Sequence, residues 1–314
     1  MNIRSLCIVG MDDYPLLAGS GDTTSVNGES VQHVLLARAW RDLGLDVSMV
    51  VHDHGQGPVR MHDGIRAFAA HAPYAGVPVL RFVHPRMTSL VTALTAADAD
   101  VYYQSPSGSA TGVTAWFCRQ RGRRMVYRVA SDANCVPGRQ LIRYWHDRKL
   151  YEYGLRRAHL VATQTLEQTS LLLEHYGIGS AAVNMAVELP AAQADRRDID
   201  VLWVSNLRSV KRPELVLELA RQLPHVSFTI AGGVCGRQHY YDEVMAAAAR
   251  LHNVTMLGAV PYARIGALFD RARVFLNTSS VEGFPNTFLQ AWVRGTPVVT
   301  FFDPDRLVHQ QRLG

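Results

Sequence analysis

Short apolar runs rich in β-branched residues alternate along the chain with segments whose apolar positions recur every three or four residues. Leu6–Val9 is the first such run, cut off by Asp12 and Asp13. A Gly-rich loop follows, then VQHVLLARAWRDLG with helical spacing, then VSMVV. Further strands are predicted at Val77–Phe82, Val101–Gln104, Met125–Val129 and Leu160–Thr163, with helical patterns between most of them. In the first helix the spacing predicts a buried stripe of Val31, Leu35, Ala39 and Leu43, with Gly44 as the stop. Alternation of this kind implies a parallel sheet covered on both faces.

The alternation restarts once. AAQADRRDID is small and polar without an apolar period, so residues 191–200 read as a linker between domains at 1–190 and 201–314. The second series runs strand Val201–Val204, helix Pro213–Leu223, strand Ser227–Ile230 ending in Ala231-Gly232-Gly233, and helix Tyr241–Leu251. It continues with strand Val254–Leu257, helix Tyr262–Ala272, strand Val274–Asn277, helix Pro285–Arg294 and strand Val298–Phe301. The expectation is α/β, two tandem Rossmann-like doubly wound domains, with ligands beyond the carboxyl ends of the strands and in the cleft between the domains. FDPDRLVHQQRLG, after Phe301, holds no further helix–strand unit, so the second domain is expected to lack a carboxyl-terminal piece.

Composition narrows the class. Of 314 residues, 48% are hydrophobic and 19% charged, which excludes disordered, collagenous and coiled-coil chains. No apolar run approaches the roughly 20 residues that span a bilayer, and the apolar stretch at the amino terminus is too short for a signal peptide. Four cysteines stand far apart at Cys7, Cys118, Cys135 and Cys235, without a C-x-x-C pair. These features predict a reduced, cytoplasmic protein without structural zinc. The formal charge of +5 favours anionic partners.

The stretch richest in chemistry is VFLNTSSVEGFPNTFLQAWVRGTPVV. A strand runs into small polar residues, then Glu282, then Gly283-Phe284-Pro285-Asn286. Proline suits the first helical position, and Gly295 with Pro297 supplies the stop. Glu282 is thus placed just ahead of a helix start, whose free N–H groups attract phosphate. Asn286 and Gln290 share one helix face, while Phe288, Leu289 and Trp292 fall on another and are predicted to pack inward. A carboxylate, a phosphate-ready helix start and a polar side chain one turn later suit a sugar joined to a nucleoside diphosphate. A capped strand–helix unit with a surface glutamate would show the same pattern.

EGFPNTFLQAWVRGTPVV resembles the signature of the retaining GT-B nucleotide-sugar glycosyltransferases, specifically the family 4 group. The resemblance places the family's first glutamate, which contacts the transferred sugar, on Glu282. Its second, which holds the ribose hydroxyls, falls on Gln290, where an amide loses the charge-assisted bonds. VLWVSNLRSVKRPELVLELA resembles the family's strand, G-R-L, loop, K-G/R-P and helix. The lysine that neutralises the leaving diphosphate falls on Lys211, and its arginine partner on Asn206, with Arg208 near enough to supply the second positive charge. NGESVQHVLLARAWRDLGLDVSMV resembles the opening G-G-x-E-x-H, placing Gly28 and Glu29 beside the ligand. Gly283, Phe284, Pro285, Asn286 and Thr287 complete the implied donor site.

The resemblance implies a transferase that moves a sugar from a nucleoside-diphosphate donor to a glycan or lipid-linked acceptor, with retention and without a metal cofactor. Where many relatives carry a sugar-contacting histidine after the strand at Met125–Val129, this chain has Ala130-Ser131-Asp132. Asp132 is either a hydrogen-bond acceptor for sugar hydroxyls or a turn residue. His52 and His54, which flank Asp53, read as a solvated loop, and Asp303-Pro304-Asp305 as a turn. Arg119, Arg121, Arg123, Arg124 and Arg128 read as a helix end with a solvated loop; the other reading is peripheral contact with an anionic membrane. No module for nucleic acid accompanies the charge. CIVGMDDYPLLAGSG lacks the G-x-G-x-x-G of dinucleotide enzymes, and a Walker A loop is absent. A catalytically weak or inactive nucleotide-sugar-binding protein of the same fold is the alternative reading.

Overall fold

The computed structural model describes residues 3–19, 27–77, 82–105, 107–190 and 197–314. The core of the predicted strand Val77–Phe82 and most of the predicted linker lie outside the described residues. The chain divides into two compact units, Met1–Ser20 with Glu29–Ala186, and Gly21–Gly28 with Val187–Gly314.

The first unit runs β1 (Ser5–Val9), α1 (Tyr14–Leu17), α2 (Gly28–Asp42), β2 (Asp46–Val51), β3 (Val59–His62), β4 (Ile65–Ala69) and α3 (Thr88–Ala97). It goes on through β5 (Val101–Gln104), α4 (Ser109–Gln120), β6 (Arg124–Arg128), α5 (Trp145–Arg157), β7 (Leu160–Thr163), α6 (Leu166–Tyr176) and β8 (Ala181–Ala182). The sheet order is β3-β4-β2-β1-β5-β6-β7-β8, parallel except for the β3–β4 hairpin. Both faces are buried, as a parallel sheet requires. Cys7 and Val9 point to a core with Leu94, Phe117 and Tyr151; Leu6 and Ile8 point to the other, with Val34 and Ala37. Burial pushes the Cys7, Cys118 and Cys135 thiols up to about 12.

The second unit runs β9 (Ile199–Val204), α7 (Pro213–Gln222), β10 (Phe228–Ala231), α8 (Gln238–Ala248), β11 (Val254–Gly258) and α9 (Tyr262–Arg271). β12 (Ala272–Asn277), α10 (Asn286–Trp292), β13 (Val298–Thr300) and α11 (Leu307–Gln310) complete it. Its sheet is wholly parallel, in the order β11-β10-β9-β12-β13. Successive strand residues again serve opposite cores. Leu202 and Phe275 meet Phe269 and Phe288, whereas Trp203 and Leu276 meet Val216 and Leu217. Both units are therefore doubly wound α/β sheets. Among the described residues no helix is long and apolar enough to cross a membrane.

Two sequence expectations are corrected. The buried positions of α2 include Val31, Val34 and Ala37, while Leu35 is half-buried, Ala39 exposed and Leu43 78% exposed. Four-residue steps advance about 40° beyond a full turn, so after three of them the predicted stripe has rotated away from the sheet. The helix predicted to begin at Pro285 is the two-turn α10, with Pro285 in extended conformation at its N-cap rather than inside it. Trp292, one of its inward positions, is half-buried, its ring edge-on to Phe284 at 6.1 Å. The arginine run spans the end of α4, the turn after it and β6. Arg128 is buried on β6, and Arg123 is bound to Asp98 at 2.6 Å. Arg119 in the last turn of α4, Arg121 just past it and Arg124 at the start of β6 remain exposed, in keeping with a solvated helix end.

The corrected stripe is directly testable. Val34→Ala is expected to lower the unfolding free energy by about 2 kcal/mol through lost burial and a residual cavity. Leu43→Ser is expected to change it by less than about 0.5 kcal/mol. Urea titration of both variants checks the contrast.

Candidate active site

In each sheet the order of strands reverses once, and loops leaving the two strands at that point diverge to opposite faces, opening a crevice. In the second unit the reversal lies between β9 and β12. The loops following these two strands contain Lys211 and Glu282.

The β9 loop is held against the exit of β10. Ser205 N donates to Ala231 O at 3.1 Å, and Leu207 N to Gly233 O at 3.0 Å, while the Leu207 side chain is buried in the core. Gly232 permits this approach, because a Cβ there would run into the Ser205 carbonyl oxygen. The loop then makes a 3-10 turn at Ser209–Lys211, and Pro213 opens α7.

The β12 loop is stapled to that turn by small polar side chains. Thr278 Oγ1 accepts from the Trp203 indole at 3.0 Å and donates to the Lys211 carbonyl at 2.7 Å. Ser280 N and Oγ both donate to the Val210 carbonyl, at 2.9 and 3.1 Å. Asn277 Oδ1 receives Ser279 N at 2.9 Å. The result is a 2.7 Å ion pair between Lys211 Nζ and Glu282 Oε1, with side chains only 21% and 12% exposed. Asn277 Nδ2 approaches the same carboxylate oxygen at 3.4 Å. An ammonium has three donors. One goes to Glu282.

Other predicted residues fall around this pair with less definition. Arg208 is exposed three residues before Lys211, whose N–H bonds its carbonyl at 2.8 Å. Asn206 is half-buried in the same loop. Gly283 and Pro285 are buried, Phe284 packs on Trp292, and Asn286, Thr287 and Gln290 are half-buried on α10. With only two turns, α10 has a start that is a weaker attraction for phosphate than the predicted longer helix. Asn277 and Thr278 were not among the predicted residues; their signal was the run of small polar residues ending the strand.

Gly28 opens α2 and clusters with the second unit. Glu29 lies in the first unit, where its carboxylate accepts from Ser105 Oγ at 3.1 Å. Burial holds the Glu29 pKa above the usual carboxylate range, partly offset by the nearby His33. His33, one turn further along, places Nδ1 2.7 Å from Asp13 Oδ2 in a fully buried pair. Burial works against charging His33, yet the Asp13 carboxylate outweighs it and the pKa rises. Gly10 leaves room for this pair. Asp132 opens a 3-10 turn, and its Oδ1 receives Gln168 Nε2 at 2.9 Å. Among the described residues no three His, Cys, Asp or Glu side chains group as metal ligands do.

Residues 188–304, which include both loops, match the family model described as glycosyl transferases group 1. That match covers most of the second unit. One component of the phosphatidylinositol N-acetylglucosaminyltransferase of Arabidopsis thaliana is 29% identical over 185 residues. That match takes in 54% of this chain and 40% of the relative, so the chain spans well under half of that protein's length. Sucrose-phosphate synthase from Thermosynechococcus elongatus superposes with a TM-score of 0.73 at 17% identity, over 95% of this chain and 81% of that one. A structure titled putative UDP-N-acetylglucosamine 2-epimerase from Listeria monocytogenes superposes with a TM-score of 0.61 at 10% identity, over 99% and 82%. The fold is that of the GT-B glycosyltransferases, and it is shared with a protein titled for other chemistry, so the activity of the second unit has to be read from its site.

Gly232→Ala is expected to push the β9 loop off β10 and to lower the unfolding free energy by about 1–3 kcal/mol. A denaturant titration indistinguishable from the parent would show that the close approach is not needed.

Proposed function

We propose that the chain is a glycosyltransferase that moves a sugar from a nucleoside-diphosphate donor to a glycan or lipid-linked acceptor, with retention at the anomeric carbon. The observation that carries this reading is the Lys211–Glu282 pair at the strand-reversal point of the second unit. The chemical task is to stabilise negative charge growing on the departing diphosphate while a cation-like sugar centre forms. Fixed cations aimed at that charge contribute several kcal/mol each. The reading gives that work to Lys211 and Arg208, with a lesser share for the start of α10 at Pro285–Thr287.

Glu282 has one carboxylate oxygen engaged by Lys211 and a second left to orient sugar hydroxyls. Gln290 positions the ribose, with Gly28, Asn206 and the Gly283–Asn286 segment lining the donor. No metal enters this scheme, since the charge is met by side chains. The alternative is a weak or inactive nucleotide-sugar-binding protein. Gln290 favours it, because an amide in place of a carboxylate weakens the ribose contact.

Thermal unfolding with a panel of UDP-, GDP- and ADP-sugars tests donor binding. An N-acetylglucosamine donor belongs in the panel because the Arabidopsis thaliana relative belongs to an N-acetylglucosaminyltransferase. A donor at about 100 times its Kd adds about 2.7 kcal/mol of stability. Stabilisation without product formation would select the alternative, and no stabilisation by any donor would reject both readings.

Two substitutions probe the assigned roles. Lys211→Ala is expected to lower turnover by on the order of 100-fold or more while the fold persists by circular dichroism. Unchanged turnover would remove Lys211 from the reaction. Gln290→Glu is expected to tighten donor binding by about five-fold, read by calorimetry, through charge-assisted bonds to the ribose. An unaltered Kd would place that side chain away from the ribose.

A further inference from the structure

In the first unit, the chain between β6 and α5 turns several large apolar side chains toward solvent. Trp145 is 74% exposed and Leu141 69%, with Tyr144 also exposed. The neighbouring segment before α3 adds Phe82 and an exposed Val83. His146 brings Phe82, Tyr144 and Trp145 together. Its ring lies 4.7 Å from Phe82, stacks on Tyr144 at 5.5 Å, and sits 6.0 Å from Trp145.

This exposure is not that of a loose loop. Ile142 is buried between the exposed Leu141 and Arg143. Gln140 is buried, bonding the Tyr176 hydroxyl and receiving Gly138 N. α5, which Trp145 begins, packs tightly on α4. Gly112 and Gly154 are needed there, because a Cβ on either would strike the opposite backbone. The fold therefore holds apolar rings in water on a rigid base, a cost that monomeric surfaces avoid unless the patch has a use.

The charge around the rings is one-sided. Between Pro137 and Lys149 the basic residues are Arg139, Arg143, Arg148 and Lys149, against the single acid Asp147. The Asp147 carboxylate faces His146 at 3.1 Å and is 14% exposed. The Arg143 guanidinium lies over the Tyr144 ring at 5.3 Å, and Arg86 follows Val83 on the adjoining segment. Aromatic rings flanked by arginine and lysine suit the boundary between acyl chains and headgroups, where rings enter the interface and cations meet lipid phosphates.

We propose that this face, built from Phe82–Arg86 and Arg139–Lys149, docks the protein on an anionic lipid bilayer. The place in the fold fits a reaction carried out at such a surface. A cavity of about 210 Å³ lined by Met11, His52, His71, Phe82, Arg86 and Ser109 lies at the carboxyl ends of β1, β2 and β4 and shares Phe82 and Arg86 with the face. Docking is independent of the transferase reading, and its test contains no sugar.

Co-sedimentation with vesicles of phosphatidylcholine, alone or mixed with phosphatidylglycerol, is the test, using the 314-residue chain. Binding is expected to the mixed vesicles, to weaken as salt rises, and to be slight on phosphatidylcholine alone. Arg139→Gln with Arg143→Gln is expected to weaken partitioning by about ten-fold or more. Tyr144→Ser with Trp145→Ser is expected to abolish it with the charges intact, while circular dichroism and thermal unfolding confirm the fold. Equal sedimentation of these variants and the parent overturns the proposal, as does failure of the parent to bind mixed vesicles. A dimer in sedimentation velocity that is lost in the Tyr144/Trp145 variant, without vesicle binding, would assign the face to a second copy instead. Nucleotide-sugar stabilisation of the same samples reads separately on the second unit, so either result can fail alone.

Discussion

Two neighbouring strands whose loops turn to opposite faces would ordinarily leave those loops apart. In the second unit the loops after β9 and β12 are joined instead, by hydroxyls donating to backbone carbonyls and by one ammonium on one carboxylate. The Thr278 hydroxyl is the centre of the arrangement, since it links the buried Trp203 indole to the Lys211 carbonyl. Through it, the position of a half-buried lysine is fixed by the packing of the core beneath. The ion pair is thereby oriented before any ligand contacts it, the preorganisation that the proposed transferase reading requires.

The same architecture explains what surrounds the pair. Parallel strands buried on both faces expose polar chemistry only at their ends, so residues at the carboxyl edge bear the functional burden. In the first unit that edge has buried polar groups of its own, Glu29 against Ser105 and His33 against Asp13. Sequence resemblance assigned Glu29 to the donor site. The geometry shows what its carboxyl does within the first unit, where it is bonded internally and its ionisation is suppressed by burial.

Much of this was legible from residue order because the signals were local. Strand Val101–Gln104 and the Glu282 segment were visible through period and turn chemistry, whereas Lys211 was singled out only by the family resemblance. The β3–β4 hairpin was missed although Asp63-Gly64, both with positive φ, is a strong two-residue turn signal. Val59 and Met61 on β3 face solvent, so the strand lacks a buried apolar alternation to mark it. The α2 stripe failed for a geometric reason, because four-residue spacing drifts around a helix. Asp13–His33 joins residues twenty positions apart, and Glu29–Ser105 residues seventy-six apart; such pairings exist only once the sheet has formed.

Three of the four cysteine sulfurs are sealed in the core of the first unit, and their thiols resist ionisation. Cys235 is different: it is half-exposed, two residues beyond the Gly233 carbonyl that receives the β9 loop. A maleimide dye offered to the folded chain therefore attaches at this one sulfur ahead of the others. The protein thus supplies its own single labelling point beside the β9 loop, without any engineered cysteine.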